Sequence, residues 1–265
     1  MWMWWQEIAG LVLPAGCAGC GRAGGALCGR CAAALCGARA RRVRPGPPPP
    51  GLPPVHAAVA YEDEARAVLL AHKERGELRL AAALGEALAG AVEAACPRRR
   101  EVEGSWAPSG DGRPLLLVPV PSARRAVAAR GHDPARRIAL AAAGVLRRGG
   151  RRARVLPVLR QRRAVADQAG LDARRRLANL TGALGAAPGC GRLLAEGRVV
   201  LVDDLMTTGA SLAEAARAVR AAGAPVAGAA VVAAAGRSFP AGAGVRLPPP
   251  RRRRQAELNT NAHRC

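Results

Sequence analysis

With 265 residues, half of them hydrophobic, the chain is long enough for one large domain or two smaller ones around a real core. Aromatic residues make up only 2%, so the core must be built from Ala, Leu and Val, and the aromatics that a stacking platform for single strands needs are nearly absent. The formal net charge of +22 is nearly all arginine, spread along an Ala-, Gly- and Pro-rich chain, which reads as compositional bias rather than as one nucleic-acid face.

The Trp-rich start carries no basic region, and the apolar run at residues 8–14 is too short to span a bilayer. A short helix packed on a cytoplasmic protein is expected there. Next come Cys17-Ala-Gly-Cys20 and Cys28-Gly-Arg-Cys31, two C-x2-C pairs. In a reducing compartment such pairs bind metal or do redox work. Thiolates at this spacing on tight Gly-rich turns reach one ion together, so Cys17, Cys20, Cys28 and Cys31 are the expected ligands of a structural Zn²⁺. Redox chemistry or disulfide pairing is the alternative. Arg22, Arg30 and Arg39 stand where they offset the excess negative charge of four thiolates, and Cys36 is a spare thiol that breaks the paired spacing.

Residues 1–43 thus read as a zinc finger and residues 44–54, dominated by Pro, as an extended linker. From residue 55 the pattern alternates. Strands are predicted at 55–61, 115–120, 155–159 (interrupted by Pro157), 199–202 and 226–233, and helices at 65–75, 78–95, 134–147 and 212–220. Asp133 is placed as N-cap with Pro134 at the first helical position. Such alternation predicts a mainly parallel sheet with helices on both faces over residues 55–240. Residues 97–112 read as a loop insertion, and residues 241–265 as a disordered basic tail.

The most informative stretch is Val199-Val-Leu-Val-Asp203-Asp204-Leu-Met206-Thr207-Thr208-Gly209-Ala210-Ser211. Four aliphatic residues make a buried strand, two carboxylates stand where it ends, and an uncharged hydroxyl-rich turn opens an amphipathic helix. The turn, residues 207–211, offers backbone N–H groups and a helix N-terminus, a cradle for a phosphate monoester. Asp203 and Asp204 would repel that phosphate and instead accept hydrogen bonds from a vicinal diol. A pentose with a terminal phosphate, such as ribose 5-phosphate, satisfies both halves. The plainer reading is a strand–helix unit whose acids merely cap the helix.

At these residues the chain resembles the phosphoribosyl pyrophosphate signature of the type I phosphoribosyltransferases. With the paired cysteines ahead of it, the chain is similar to the ComF proteins associated with bacterial competence and DNA uptake. Leu116-Leu-Val-Pro-Val120-Pro121-Ser122 and Arg130-Gly131 resemble that family's strand end and Arg-Gly motif. The resemblance implies a pyrophosphate-binding loop at Val120, Pro121 and Ser122, with Arg124, Arg125 and Arg130 nearby. Where family members continue Phe-Asn-Gln, this chain has His132-Asp133-Pro134. The stretch from Arg160 through Arg163 and Gln168 to Asn179 resembles a mobile catalytic loop. Lys73-Glu74-Arg75-Gly76 resembles a Lys-x-x-Gly helix end, where a surface lysine is the simpler account.

These likenesses imply a Mg²⁺-dependent transferase that displaces pyrophosphate from phosphoribosyl pyrophosphate. Asp203 and Asp204 would hold the diol, and Met206, Thr207, Thr208, Gly209, Ala210 and Ser211 would hold the 5-phosphate. A non-catalytic accessory factor contacting single-stranded DNA or the uptake machinery is the second reading. A purine or pyrimidine salvage enzyme is the third, although residues 55–95 offer few polar groups to read a base.

Overall fold

The computed structural model describes residues 16–97, 112–163 and 179–240. The Trp-rich start, most of the loop insertion, Gln168 with the centre of the arginine-rich loop, and the basic tail lie outside the described residues.

Eight strands are laid down among the described residues. The strands β1 (Arg41–Val43), β2 (Val55–Ala60), β3 (Leu115–Pro119), β4 (Ala153–Val155), β7 (Arg198–Met206) and β8 (Val226–Ala234) form one sheet in the order β1-β2-β8-β7-β3-β4. Every pairing in it is parallel except β1 with β2 at the edge. β5 (Leu159–Gln161) and β6 (Leu184–Ala186) make a separate antiparallel ribbon. The single strand expected at 155–159 is therefore two strands in two sheets. Pro157 lies between them, because a residue without an N–H cannot continue the ladder.

Helices α1 (Gly29–Cys36), α2 (Asp63–Glu74), α3 (Ala81–Ala95), α4 (Arg124–Arg130), α5 (Pro134–Arg148), α6 (Gly191–Ala195) and α7 (Ala210–Ala221) complete the layers. The start of the helix expected at 78–95 is a 3-10 turn, Leu78–Leu80. Asp133 caps α5 as predicted, its carboxylate accepting from the Arg136 N–H at 3.1 Å, with Pro134 at the first position. Two apolar clusters sandwich the sheet. Val200 and Val202 of β7 face Leu69, Leu84, Leu88 and Ile138 from α2, α3 and α5, while Val199 and Leu201 face Leu212 and Val219 of α7. Both clusters are Ala-, Leu- and Val-rich. Leu35 of α1 enters the first cluster, so the cysteine module shares the core of the α/β domain.

The Pro-rich segment is docked. The Arg220 guanidinium donates to the Gly51 carbonyl at 2.8 Å, and the Pro54 carbonyl accepts from the Ala229 N–H at 2.9 Å. Among the described residues no helix is long and apolar enough to cross a membrane.

Candidate functional site

β7 does not stop at the aspartates. It runs through them to Met206, with Asp203 opposite Val231 and Met206 opposite Ala234 of β8. The acids thus sit in the carboxyl-terminal half of a central strand, where open α/β sheets bind ligands. Asp204 continues the face of Val200 and Val202 toward α2 and is 5% exposed. Its Oδ2 accepts from the Lys73 ammonium at 2.9 Å. Asp203 is half-buried, and its Oδ1 accepts from the Asp204 backbone N–H at 2.9 Å. Each acid therefore has one oxygen held by the protein. Burial, then the Asp204 charge, push the Asp203 carboxyl well above the usual carboxylate range, and Lys73 offsets this only in part. For Lys73, burial acts downward, but the Asp204 charge and hydrogen bond, with the Asp203 charge, leave the ammonium above the ordinary lysine value.

The turn that follows has the expected shape. Gly209 adopts a left-handed conformation, φ 77°, as the N-cap of α7, and no acidic residue stands in the first turn of that helix. The Thr208 hydroxyl accepts from the Ala210 N–H at 3.5 Å. A Cβ on Gly209 would lie 3.0 Å from Leu52 and 3.3 Å from Pro45, so the docked Pro-rich segment closes the back of the turn. Glycine is needed here twice over, for its φ and for its missing side chain. Gly209→Ala is expected to cost about 1–3 kcal/mol in denaturant unfolding. Met206 is 2% exposed within the core, so its side chain is not part of a ligand surface.

Other predicted residues are placed less simply. Pro119 pairs with Val202, which brings the end of β3 beside the acids. The Val120 N–H, however, donates to the Val202 carbonyl at 2.9 Å, and Pro121 has none to give. Of the three loop residues only Ser122 keeps a backbone N–H outside the ladder, which corrects the expected three-residue cradle. Arg130 is paired through Nε and a terminal nitrogen to the Glu74 carboxylate, at 3.0 and 2.9 Å. Arg160 donates to the carbonyls of Pro157 and Leu159, and Arg163 to those of Asn179 and Thr181. Arg160 is thus held by its own strand, while Arg163 ties the start of the loop to its end. Helix α7 anchors the same ribbon: buried Glu214 accepts from the Leu184 N–H at 3.0 Å, and Arg217 donates to the Leu184 carbonyl at 2.8 Å.

In the sequence Lys73 stands out as a solitary lysine in a Lys-x-x-Gly helix end, but its partner lies 131 residues away. His72 and His132 are buried together with ring centroids 5.6 Å apart. His132 sets its nitrogens against the carbonyls of Arg130 (3.1 Å) and His72 (3.2 Å), a staple between α2 and the turn after α4.

The four cysteines of the paired array come together as well. The sulfurs of Cys17, Cys20, Cys28 and Cys31 all lie within 4.8 Å of one another, and those of Cys20 and Cys28 are 3.6 Å apart. A tetrahedral site with ~2.3 Å Zn–S bonds places its sulfurs about 3.8 Å apart, so the cluster fits one structural metal ion. All four are free thiols, not disulfides. For Cys17 burial acts upward, but N–H groups of Cys28, Cys20 and Gly19 draw the thiol down to about 6, whereas burial and the neighbouring thiols push Cys31 well above the usual thiol range. Cys36 points away, toward Ala83 and Glu86 of α3. Arg30 reaches Glu64 of α2 at 3.4 Å instead of neutralising the thiolates.

Residues 184–240 match the phosphoribosyl transferase domain. That span holds the Leu184 anchor, the acidic strand, the Thr-Thr-Gly turn and β8. No curated protein matches the chain. The fold is type I phosphoribosyltransferase-like, a mostly parallel sheet between helices with a four-cysteine cluster ahead of it.

Asp203 carries a stability cost at neutral pH, because the fold favours its protonated form. Asp203 binds its proton more tightly folded than unfolded, so stability falls as pH rises from about 4 through its raised titration. Asp203→Asn keeps the acceptor oxygen and is expected to raise Tm by about 2–4 °C at pH 7. Thermal scans should show that gain shrinking toward pH 4.

Proposed function

We propose that the chain is a ComF-type phosphoribosyltransferase-like protein. In this reading it binds phosphoribosyl pyrophosphate with Mg²⁺ and transfers the phosphoribosyl group to an unidentified nucleophile, in a role associated with DNA uptake. One observation carries the reading: two adjacent acids, each with one oxygen already held by the protein, precede an uncharged glycine turn at the carboxyl end of a central strand. The oxygens left over accept the ribose diol, and the first-turn amides of α7 receive the 5-phosphate.

Mg²⁺, when bound with the substrate, neutralises charge on the pyrophosphate. The protein's own part is positioning. Asp203 and Asp204 fix the ribose ring, the 207–211 turn fixes its phosphate, and Ser122 at the end of β3 meets the leaving group. The matched domain and the family resemblance support this assignment.

Isothermal titration of phosphoribosyl pyrophosphate with Mg²⁺ tests it. Saturable binding to one site per chain is expected, with competition by ribose 5-phosphate. Absence of heat at millimolar ligand removes the reading in favour of a non-catalytic accessory role, which a salt series with single-stranded DNA would then examine.

A further inference from the structure

The geometry points to Lys73 as the positioning residue of the phosphosugar site, occupying one oxygen of Asp204 so that the other is left for the sugar. The inference rests on the ribose-binding reading above and adds to it the group that prepares the acid.

Three observations carry it. Of 41 basic residues only Lys73 is a lysine, in a chain otherwise given over to arginine. Its ammonium lies 2.9 Å from Asp204 Oδ2, and its side chain remains one-third exposed (33%) above an acid that is itself buried, so the lysine reaches from the surface to the acid. The end of α2 is also held by side-chain contacts. The His72 carbonyl faces His132 Nε2 at 3.2 Å, the His72 Nδ1 lies 3.3 Å from the Glu77 carbonyl, and Glu74 grips Arg130 through two hydrogen bonds. A lysine that merely solubilised the surface would need no such framework.

The residue type matters physically. An ammonium is a compact point charge that satisfies one carboxylate oxygen. A guanidinium is a planar fork that takes both oxygens at once. Arginine at position 73 would keep the charge and the ion pair yet use up the acceptor that the diol requires. Lysine neutralises Asp204 and leaves it half free, which accounts for an ammonium at this one position.

The test compares the wild type with Lys73→Arg and Lys73→Met by calorimetry against three probes: phosphoribosyl pyrophosphate, ribose 5-phosphate and inorganic pyrophosphate. Both substitutions are expected to weaken the two ribose ligands at least tenfold while pyrophosphate binding stays within about twofold. Lys73→Arg should keep the wild-type Tm, which separates positioning from folding. In an Asp204→Asn background Lys73→Met should cause no further loss. Should Lys73→Met misfold, Lys73→Gln serves in its place.

Wild-type affinity in Lys73→Arg overturns the inference, because charge alone would then suffice. An equal loss for all three probes overturns it too, since the lysine would be acting on phosphate or on the fold. A wild type that binds neither ribose ligand removes the phosphosugar reading itself, and this inference with it.

Discussion

Asp204→Ala is expected to lower the affinity for phosphoribosyl pyrophosphate about 100-fold, while inorganic pyrophosphate binds as well as before or better. A charge-assisted hydrogen bond contributes ~1.5–3 kcal/mol, and each 1.4 kcal/mol is a factor of ten. The two ligands should diverge because the substitution removes more than an acceptor. It also releases the Lys73 ammonium that now rests on Asp204 Oδ2 at 2.9 Å. A freed cation repels nothing on a diphosphate and offers it three donors. A helix-capping role for the acids predicts the opposite pattern, a fall in stability with no ligand selectivity. Parallel calorimetry and thermal unfolding on the one variant distinguish the two, and unchanged phosphoribosyl pyrophosphate binding ends the diol assignment.

Removal of metal from the cysteine cluster should have the largest effect on stability. Structural zinc contributes folding free energy outright, so chelation is expected to lower Tm by about 10 °C or more. Cys31→Ser should do the same without chelator, since Cys31 is fully buried and its sulfur lies 2.8 Å from where a Cβ on Gly19 would be. The loss should not stay local. Leu35 of α1 belongs to the main core cluster, and Arg30 is paired with Glu64 at the start of α2. Loosening the module therefore loosens the helix that carries Lys73. A metal assay should find one zinc per chain, with four thiols becoming reactive on its release. A chain free of metal with an undiminished Tm would show that the cluster holds together by packing alone.

The structure also revises how the parts meet. The strand Arg41–Val43 comes from the end of the stretch read as the finger, yet it forms the edge of the main sheet. The Pro-rich residues beyond it hold no regular structure, as their composition predicts, but Pro45 and Leu52 lie against the Gly209 turn. A segment read as a spacer is thereby part of the wall behind the candidate phosphate cradle.

What the sequence determined by itself was whatever repeats over a few residues. The run from Leu115 to Val120 announced a strand and Val199 to Val202 a buried parallel one, Asp133 and Pro134 announced the start of α5, and the cysteine spacing announced a four-sulfur cluster. Local steric and hydrogen-bonding rules suffice for these, because the interacting atoms are neighbours in the chain. Only the tertiary structure decided that Lys73 meets Asp204, that Glu74 takes Arg130 and that the Val120 N–H is spent on Val202. Those partners are separated by 131, 56 and 82 positions, distances over which no periodicity operates. Strand order brings them together, and strand order is set by how the whole chain buries its two apolar faces at once.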